Sequence, residues 1–351
     1  MQEAPPRGRA AAGLMLGEGG KVKQKPGYLT GNMIPEAGLS IPLLGEPVAG
    51  GFVFSPMKIH YLKCGTDCPV GGALFDGFSK GVLGLIPCAA QLVETSDGLV
   101  LIDTGYGVED VRHPHPRLSK VMRGLLNIQF RMEETAARQV EALGYSRRDV
   151  RHIILTHLDF DHAGGLEDFP EARVHVMEAE REAAEHKRRG FIARRRYRPA
   201  QWNEVRDWRT YAGGGEPWFG LDSVRSLDGL PPEFLMIPLP GHTDGHAGIA
   251  VQTPSGWVLN AGDAYFYRRE LDFDRRRCTP GLRLYQNMME VDRELRFANQ
   301  ERLRDLKRHH GNEITIFCSH DQKELEALQG LATEPRGRRG SGVGLDPVAV
   351  G

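Results

Sequence analysis

Between residues 57 and 320, apolar runs of about six to eight residues alternate with stretches whose apolar positions recur every three or four residues. MKIHYLKCG (57–65) and AAQLVETSDGLVLIDTG (89–105) predict strands, the second folded back at a turn over Ser96, Asp97 and Gly98. EETAARQVEALG (133–144) predicts a helix stopped by Gly144. RHIILTH (151–157) and ARVHVM (172–177) then predict buried strands, and EAEREAAEHKRR (178–189) a further helix. After an irregular segment, EFLMIPLPGH, AGIAVQT and GWVLNAGD predict three more strands. A long helix is expected near residues 288–308, and ITIFCSH closes the series as a last strand. No repeat is evident, and this order argues for an α/β or α+β domain with layered packing.

Composition adjusts that picture at the ends. Residues 1–55 are rich in Gly, Pro and Ala with no sustained period, so a loosely ordered extension is expected there; residues 56–328 form the folded domain and 329–351 a disordered tail. With 45 Lys+Arg against 46 Asp+Glu the formal net charge is -1, which leaves no global field to drive the chain onto nucleic acid or an anionic membrane. The apolar runs fall far short of the ~20 residues needed to span a bilayer. Five cysteines, an odd number, and an N-terminus without an apolar signal core point to a reduced, cytoplasmic protein. Cys64 and Cys68 have half the spacing of a metal knuckle, but no second pair follows, and they are read as free thiols.

Four predicted strands end in the same chemistry. The first runs into His157, Asp159, Asp161 and His162, followed by Gly164 and Gly165. The others end at His242 and His246, at Asp263, and at His320 with Asp321. Histidine and aspartate bind first-row divalent metals through nitrogen and oxygen, and loops at strand ends hold such groups at fixed distances. One such histidine would ordinarily be a structural hydrogen-bonding residue, and one Gly-Asp a turn. The density of the set is what turn chemistry and packing do not explain.

His157-x-Asp159-x-Asp161-His162 resembles the H-x-H-x-D-H signature of the metallo-β-lactamase superfamily with its second histidine replaced by aspartate. The resemblance continues through Asp103-Thr104-Gly105, His242, Asp263 and His320, and covers about residues 57–325. GHTDGH, GDAY and CSHD look most like the N-acyl-homoserine lactonase branch. The family implies an α+β fold, the αββα four-layer sandwich, with a dinuclear metal site at one edge. It implies that His157, Asp159 and His242 hold a first metal, that Asp161, His162 and His320 hold a second, and that Asp263 bridges them. Asp103 would orient a ligand imidazole, and His246 would lie just outside the ligand set. The cofactors expected are two divalent ions, zinc before iron or manganese.

The aspartate at 159 changes the charge of such a site. Three carboxylates offset three of the four positive charges of two divalent ions, where the usual set offsets two, and the harder oxygen donor shifts preference from zinc toward iron or manganese. The activity implied is metal-dependent hydrolysis of a lactone or ester through a metal-bridging hydroxide, with Asp161 and Asp263 as the catalytic residues that orient the nucleophile. Lactonases of the branch carry a tyrosine three residues after the bridging aspartate; here that position is Phe266, between Tyr265 and Tyr267. An iron-binding redox protein on the same fold is the alternative that Asp159 motivates.

A basic and aromatic insert spans residues 186–219. Arg194, Arg195, Arg196 and Arg198 read either as a solvated helix face or as a surface for a carboxylate, a phosphate or RNA, which keeps a phosphodiesterase or nuclease as a second alternative. Trp202, Trp208, Trp218 and Phe219 read as lid core or as an apolar wall for an acyl chain. The expected partner is a small-molecule substrate rather than a membrane or nucleic acid.

Overall fold

In a computed structural model of the chain, residues 57–187 and 191–333 are described. The expectations for residues 1–55 and 334–351 lie outside them. Among the described residues twelve strands form two sheets of six. The first runs in order β1 (Lys58–Asp67), β2 (Ile86–Thr95), β3 (Gly98–Ile102), β4 (Val150–Ile154), β5 (Arg173–Met177) and β6 (Trp208–Tyr211). The second runs β12 (Ile314–Phe317), β11 (Gly256–Asn260), β10 (Ala247–Thr253), β9 (Phe234–Pro238), β8 (Leu221–Ser226) and β7 (Glu216–Trp218).

The period-two pattern decides which way each strand faces. In β3, Val100 and Ile102 join β9 residues Phe234 and Met236 and β10 residues Ile249 and Val251 in a core between the sheets. Leu99 and Leu101 point the other way, onto Ala136, Ala137 and Val140 of the Ala136–Ala142 helix and Ala183 and Ala184 of the Glu178–His186 helix. On the far side, Leu259 and Ala250 pack with Leu303 and Leu306 of the Arg293–His310 helix. Helices thus cover the outer face of each sheet, which gives the α+β four-layer arrangement.

Three boundaries differ from the sequence reading. The irregular segment contains β6, β7 and β8, because the insert carries the chain from the edge of the first sheet to the edge of the second. These strands are three to six residues long and lack a clear alternation, so their pairing decides them. The long helix is two, Pro280–Met289 and Arg293–His310. The break comes where Val291 and Asp292 both donate backbone N–H bonds to the Gly241 carbonyl at 2.9 Å, and the Asp292 side chain caps the Leu295 N–H at 2.9 Å. The last helix, Gln322–Thr333, runs past residue 328.

Candidate metal centre

β3 is parallel to β4, and β11 to β12, so all four deliver their C-terminal ends to one rim of the sandwich. Asp103 follows β3, the 156–162 loop follows β4, Asp263 follows β11 and His320 follows β12; His242 lies between β9 and β10. The structure brings all seven sequence-predicted donors to this rim, and all are buried.

The spacing of their donor atoms is informative. His157 Nε2 lies 3.4 Å from Asp159 Oδ2 and 3.6 Å from Asp263 Oδ2. His242 Nε2 lies 3.1 Å from Asp159 Oδ2 and 3.2 Å from Asp263 Oδ2. The other carboxylate oxygen, Asp263 Oδ1, lies 3.3 Å from His162 Nε2 and 3.1 Å from His320 Nε2, and His320 Nε2 is 3.6 Å from Asp161 Oδ2. Metal–ligand bonds of about 2.0–2.2 Å in a tetrahedron separate donors by about 3.3–3.6 Å. His157 Nε2 and Asp263 Oδ1 have no hydrogen-bond partner although both are buried. Orphaned donors of this kind, converging at ligand spacing from both sides of Asp263, fit two divalent ions.

Hydrogen bonds behind the donors fix which nitrogen each ring presents. Asp103 accepts from the Thr156 N–H at 2.8 Å, from its hydroxyl at 2.9 Å and from His162 Nδ1 at 2.9 Å, so His162 Nε2 faces the rim. The Thr156 hydroxyl, having donated to Asp103, accepts from His157 Nδ1 at 2.9 Å. His320 Nδ1 donates to the Pro87 carbonyl at 2.8 Å. Asp103 holds a left-handed backbone, φ +56°, a conformation worth roughly 1–3 kcal/mol of strain that the three bonds to its carboxylate offset. His246 stands outside the donor set. Its Nδ1 donates to the Leu239 carbonyl at 2.9 Å, and its Nε2 accepts the Asp263 N–H at 2.8 Å. A side chain at Gly262, φ +53°, would come within 2.6 Å of that Nε2, so glycine is required for the turn that presents Asp263.

The electrostatics follow the same division. Burial would lower His320, yet Asp263 and Asp161 push it up to about 9. Burial would also lower His162, and Asp263 and Asp103 hold it well above the usual range. Burial keeps His157 well below it, with His162 adding to the effect. Burial would raise the Asp159 carboxyl, but the Arg196 guanidinium, with His157, holds it well below the usual carboxylate range.

Arg196 is the residue that sequence reasoning placed wrongly. In the short Ala193–Arg196 helix, Arg194 is exposed and Arg195 stacks on Phe191, but Arg196 is 1% exposed and enters the rim. Its Nε donates to Asp159 Oδ1 and its Nη2 to Asp159 Oδ2, both at 2.7 Å. Arg198, half-buried, is tied down along the surface, donating to the Arg117 and Pro116 carbonyls. The arginine run is therefore neither one solvated face nor one basic surface. The signal that could have found Arg196 is Asp159 itself, an extra buried carboxylate that needs a cation.

The aromatics of the insert pack elsewhere: Trp202 in the first outer core, Trp218 against Phe219 and Trp257, and Trp208 under Arg181. The apolar wall beside the donors comes instead from Ile86, Phe266, Leu282 and Tyr285, which line a cavity with Asp67, Asp161 and His320. Phe266 stacks on the His320 ring, with centroids 4.9 Å apart, and Tyr285 packs edge-on against Phe266. Asp67, which accepts from the Tyr106 hydroxyl at 3.0 Å, was missed, as was Cys88, buried with its sulfur within 4.8 Å of donors on Asp161 and His320. They lie at the end of β1 and the start of β2, just outside the predicted strands, and no motif marks them. Among the described residues all five cysteines are free, and no helix is long and apolar enough to cross a membrane.

The profile of the family described as "Metallo-beta-lactamase superfamily" matches residues 83–311. A protein named "Probable metallo-hydrolase Rv2300c" from Mycobacterium tuberculosis is 40% identical over 307 residues, 88% of this chain and 90% of its own length. An N-acyl homoserine lactonase from a Bacillus species is 25% identical over 216 residues, 61% of this chain and 78% of its own. Among solved structures, an N-acyl homoserine lactone hydrolase with N-hexanoyl-L-homoserine at its catalytic metal center has the same fold, with a TM-score of 0.57 at 22% identity, covering 78% of this chain and 97% of that one. Matched by the family profile over most of its length and by a relative along nearly all of it, the chain belongs to the metallo-β-lactamase superfamily.

Proposed function

We propose that this metallohydrolase opens a lactone or cleaves an ester at the rim, with His157, Asp159, His242 and Asp263 holding one divalent ion and Asp161, His162, His320 and Asp263 the other. The observation that carries this reading is the spacing of the donors, 3.1–3.6 Å between neighbours, with the two oxygens of Asp263 turned to opposite sides. Bound there, the ions would polarise a carbonyl and lower the pKa of a water to near neutrality. The chain's own residues do the rest. Asp103, Thr156 and the Pro87 carbonyl lock three imidazoles with Nε2 forward, so little reorganisation accompanies loading. Asp161, which lines the cavity, is placed to accept a hydrogen bond from the attacking water and orient it, and Asp263 shares that role. Ile86, Phe266 and Leu282 give the cavity an apolar side suited to an acyl or alkyl group.

Zinc is the first choice of metal, with iron or manganese favoured only as far as the oxygen donor of Asp159 allows. Five free cysteines fit a reducing, cytoplasmic setting. The test is a panel of a γ-lactone, an aryl ester and bis-nitrophenyl phosphate, assayed with metal content measured on the same protein. Turnover of the lactone or ester that is lost on chelation supports the reading. Turnover of the phosphodiester alone, or full activity without metal, overturns it.

A further inference from the structure

Arg196 is held by five hydrogen bonds, one for each N–H it owns. Nε and one Nη2 hydrogen go to the two oxygens of Asp159, both Nη1 hydrogens go to the His242 and Met289 carbonyls at 3.1 and 2.9 Å, and the remaining Nη2 hydrogen points at His242 Nε2 from 2.8 Å. A guanidinium can only donate, so His242 Nε2 accepts, through the one lone pair that a metal would also need. No donor remains for a substrate. Of the four donors of the first position, the guanidinium bonds Asp159 and His242 but neither His157 nor Asp263.

We propose that Arg196 sets the metal affinity of the first position and makes the two positions unequal, the second filling tightly and the first weakly. This rests on the metal reading above. Three effects act in one direction. An ion at the first position must take His242 Nε2 from Arg196; it sits within a few ångströms of a fixed positive charge in a buried site; and it finds the charge of Asp159 already offset. None of these bears on Asp161, His162 and His320, which Arg196 does not contact. Arg196 is thus a positioning residue for the site, and it returns the positive charge that an aspartate at 159 removes relative to histidine.

The experiment is calorimetric titration of zinc into chelator-stripped full-length protein, without substrate. For the natural chain two binding events are expected, the second at least about tenfold weaker. Arg196→Met should tighten the weaker event by about tenfold or more and leave the tighter one within about threefold. Arg196→Lys, which keeps the charge but not the fork, should stay close to the natural chain. If Arg196→Met does not fold, Asp159→His/Arg196→Met removes both members of the pair and should show the same tightening. A weaker event that is unchanged or weakened in the folded variants would make Arg196 a scaffold for Asp159 and overturn the proposal. Two equal events in the natural chain would overturn it alone and leave the hydrolase reading standing, whereas no binding by any variant would overturn both.

Discussion

Among the described residues two groups of histidines meet in the interior, one half-buried and one fully buried, and β4 borders both. Near the start of that strand His152 meets His175 of β5, Nδ1 to Nε2 at 2.8 Å, and His175 Nδ1 bonds the Tyr211 hydroxyl at 2.7 Å. Past its end, His157 and His162 meet His242 and His320. In the first group, no carboxylate among the described residues touches His175, each of its nitrogens has a partner, and burial pushes it down to about 3. In the second, carboxylates stand between the rings and the forward nitrogens of His157, His162 and His320 converge on them. Buried histidines alone do not make a metal site; unsatisfied donors facing carboxylates at ligand distance do.

The sharpest way to break this comparison is to delete a donor. Asp161→Ala should reduce turnover on the order of a thousandfold or more while the circular dichroism spectrum is kept, because the donor cluster contributes no apolar packing. His152→Ala, in the other group, should leave turnover within about twofold. A substitution that looks like a repair comes next. Asp159→His alone strands Arg196 as a buried cation and should cost about 3–5 kcal/mol in chemical denaturation, most of it recovered in Asp159→His/Arg196→Met. If the single variant is as stable as the natural chain, the ion pair is not what holds Arg196.

Asp103→Asn tests the support behind the donors. Asparagine tolerates the left-handed backbone at this position but can place an amide against His162 Nδ1, so affinity at the second metal position should fall about 10–100-fold in zinc titrations. The effect in the other group is confined to acid pH. An unfolded chain protonates His175 below about 6.5 and the folded one only near 3, so its contribution to stability is present above pH 6.5 and lost as pH falls through that window. His175→Gln should flatten the fall of unfolding free energy between pH 6.5 and 4 by up to about 1.4 kcal/mol per pH unit. An unchanged slope would mean that His175 is solvated.

The strands and the polar residues at their ends were legible because both are local: period-two alternation marks the strand, and His157, Asp159, Asp161 and His162 crowd into one loop. His242, Asp263 and His320 were legible through the same strand-end pattern. What was not legible depends on distant partners. Arg196 is one of three consecutive arginines that local chemistry cannot tell apart, and the antiparallel bridge pairing Asp159 with Tyr197 brings it beside the rim. Asp67 and Ile86 belong to strands far from the motif and reach the cavity through the register of β1 on β2. The two helices in place of one turn on a carbonyl at Gly241, some fifty residues upstream, which no window along the helix contains.

Asp263 leaves the second sheet, while four of the other donors leave the first. With His242 and His320, which also leave the second sheet, it would act as a rivet through the seam of the sandwich: ions held on its two sides would fasten halves otherwise joined there by side-chain packing and by the chain that crosses between them. The protein cut in the 213–215 loop and supplied as two fragments should then reassemble more readily with zinc than without it, its mechanical joint and its chemistry resting on the same donors.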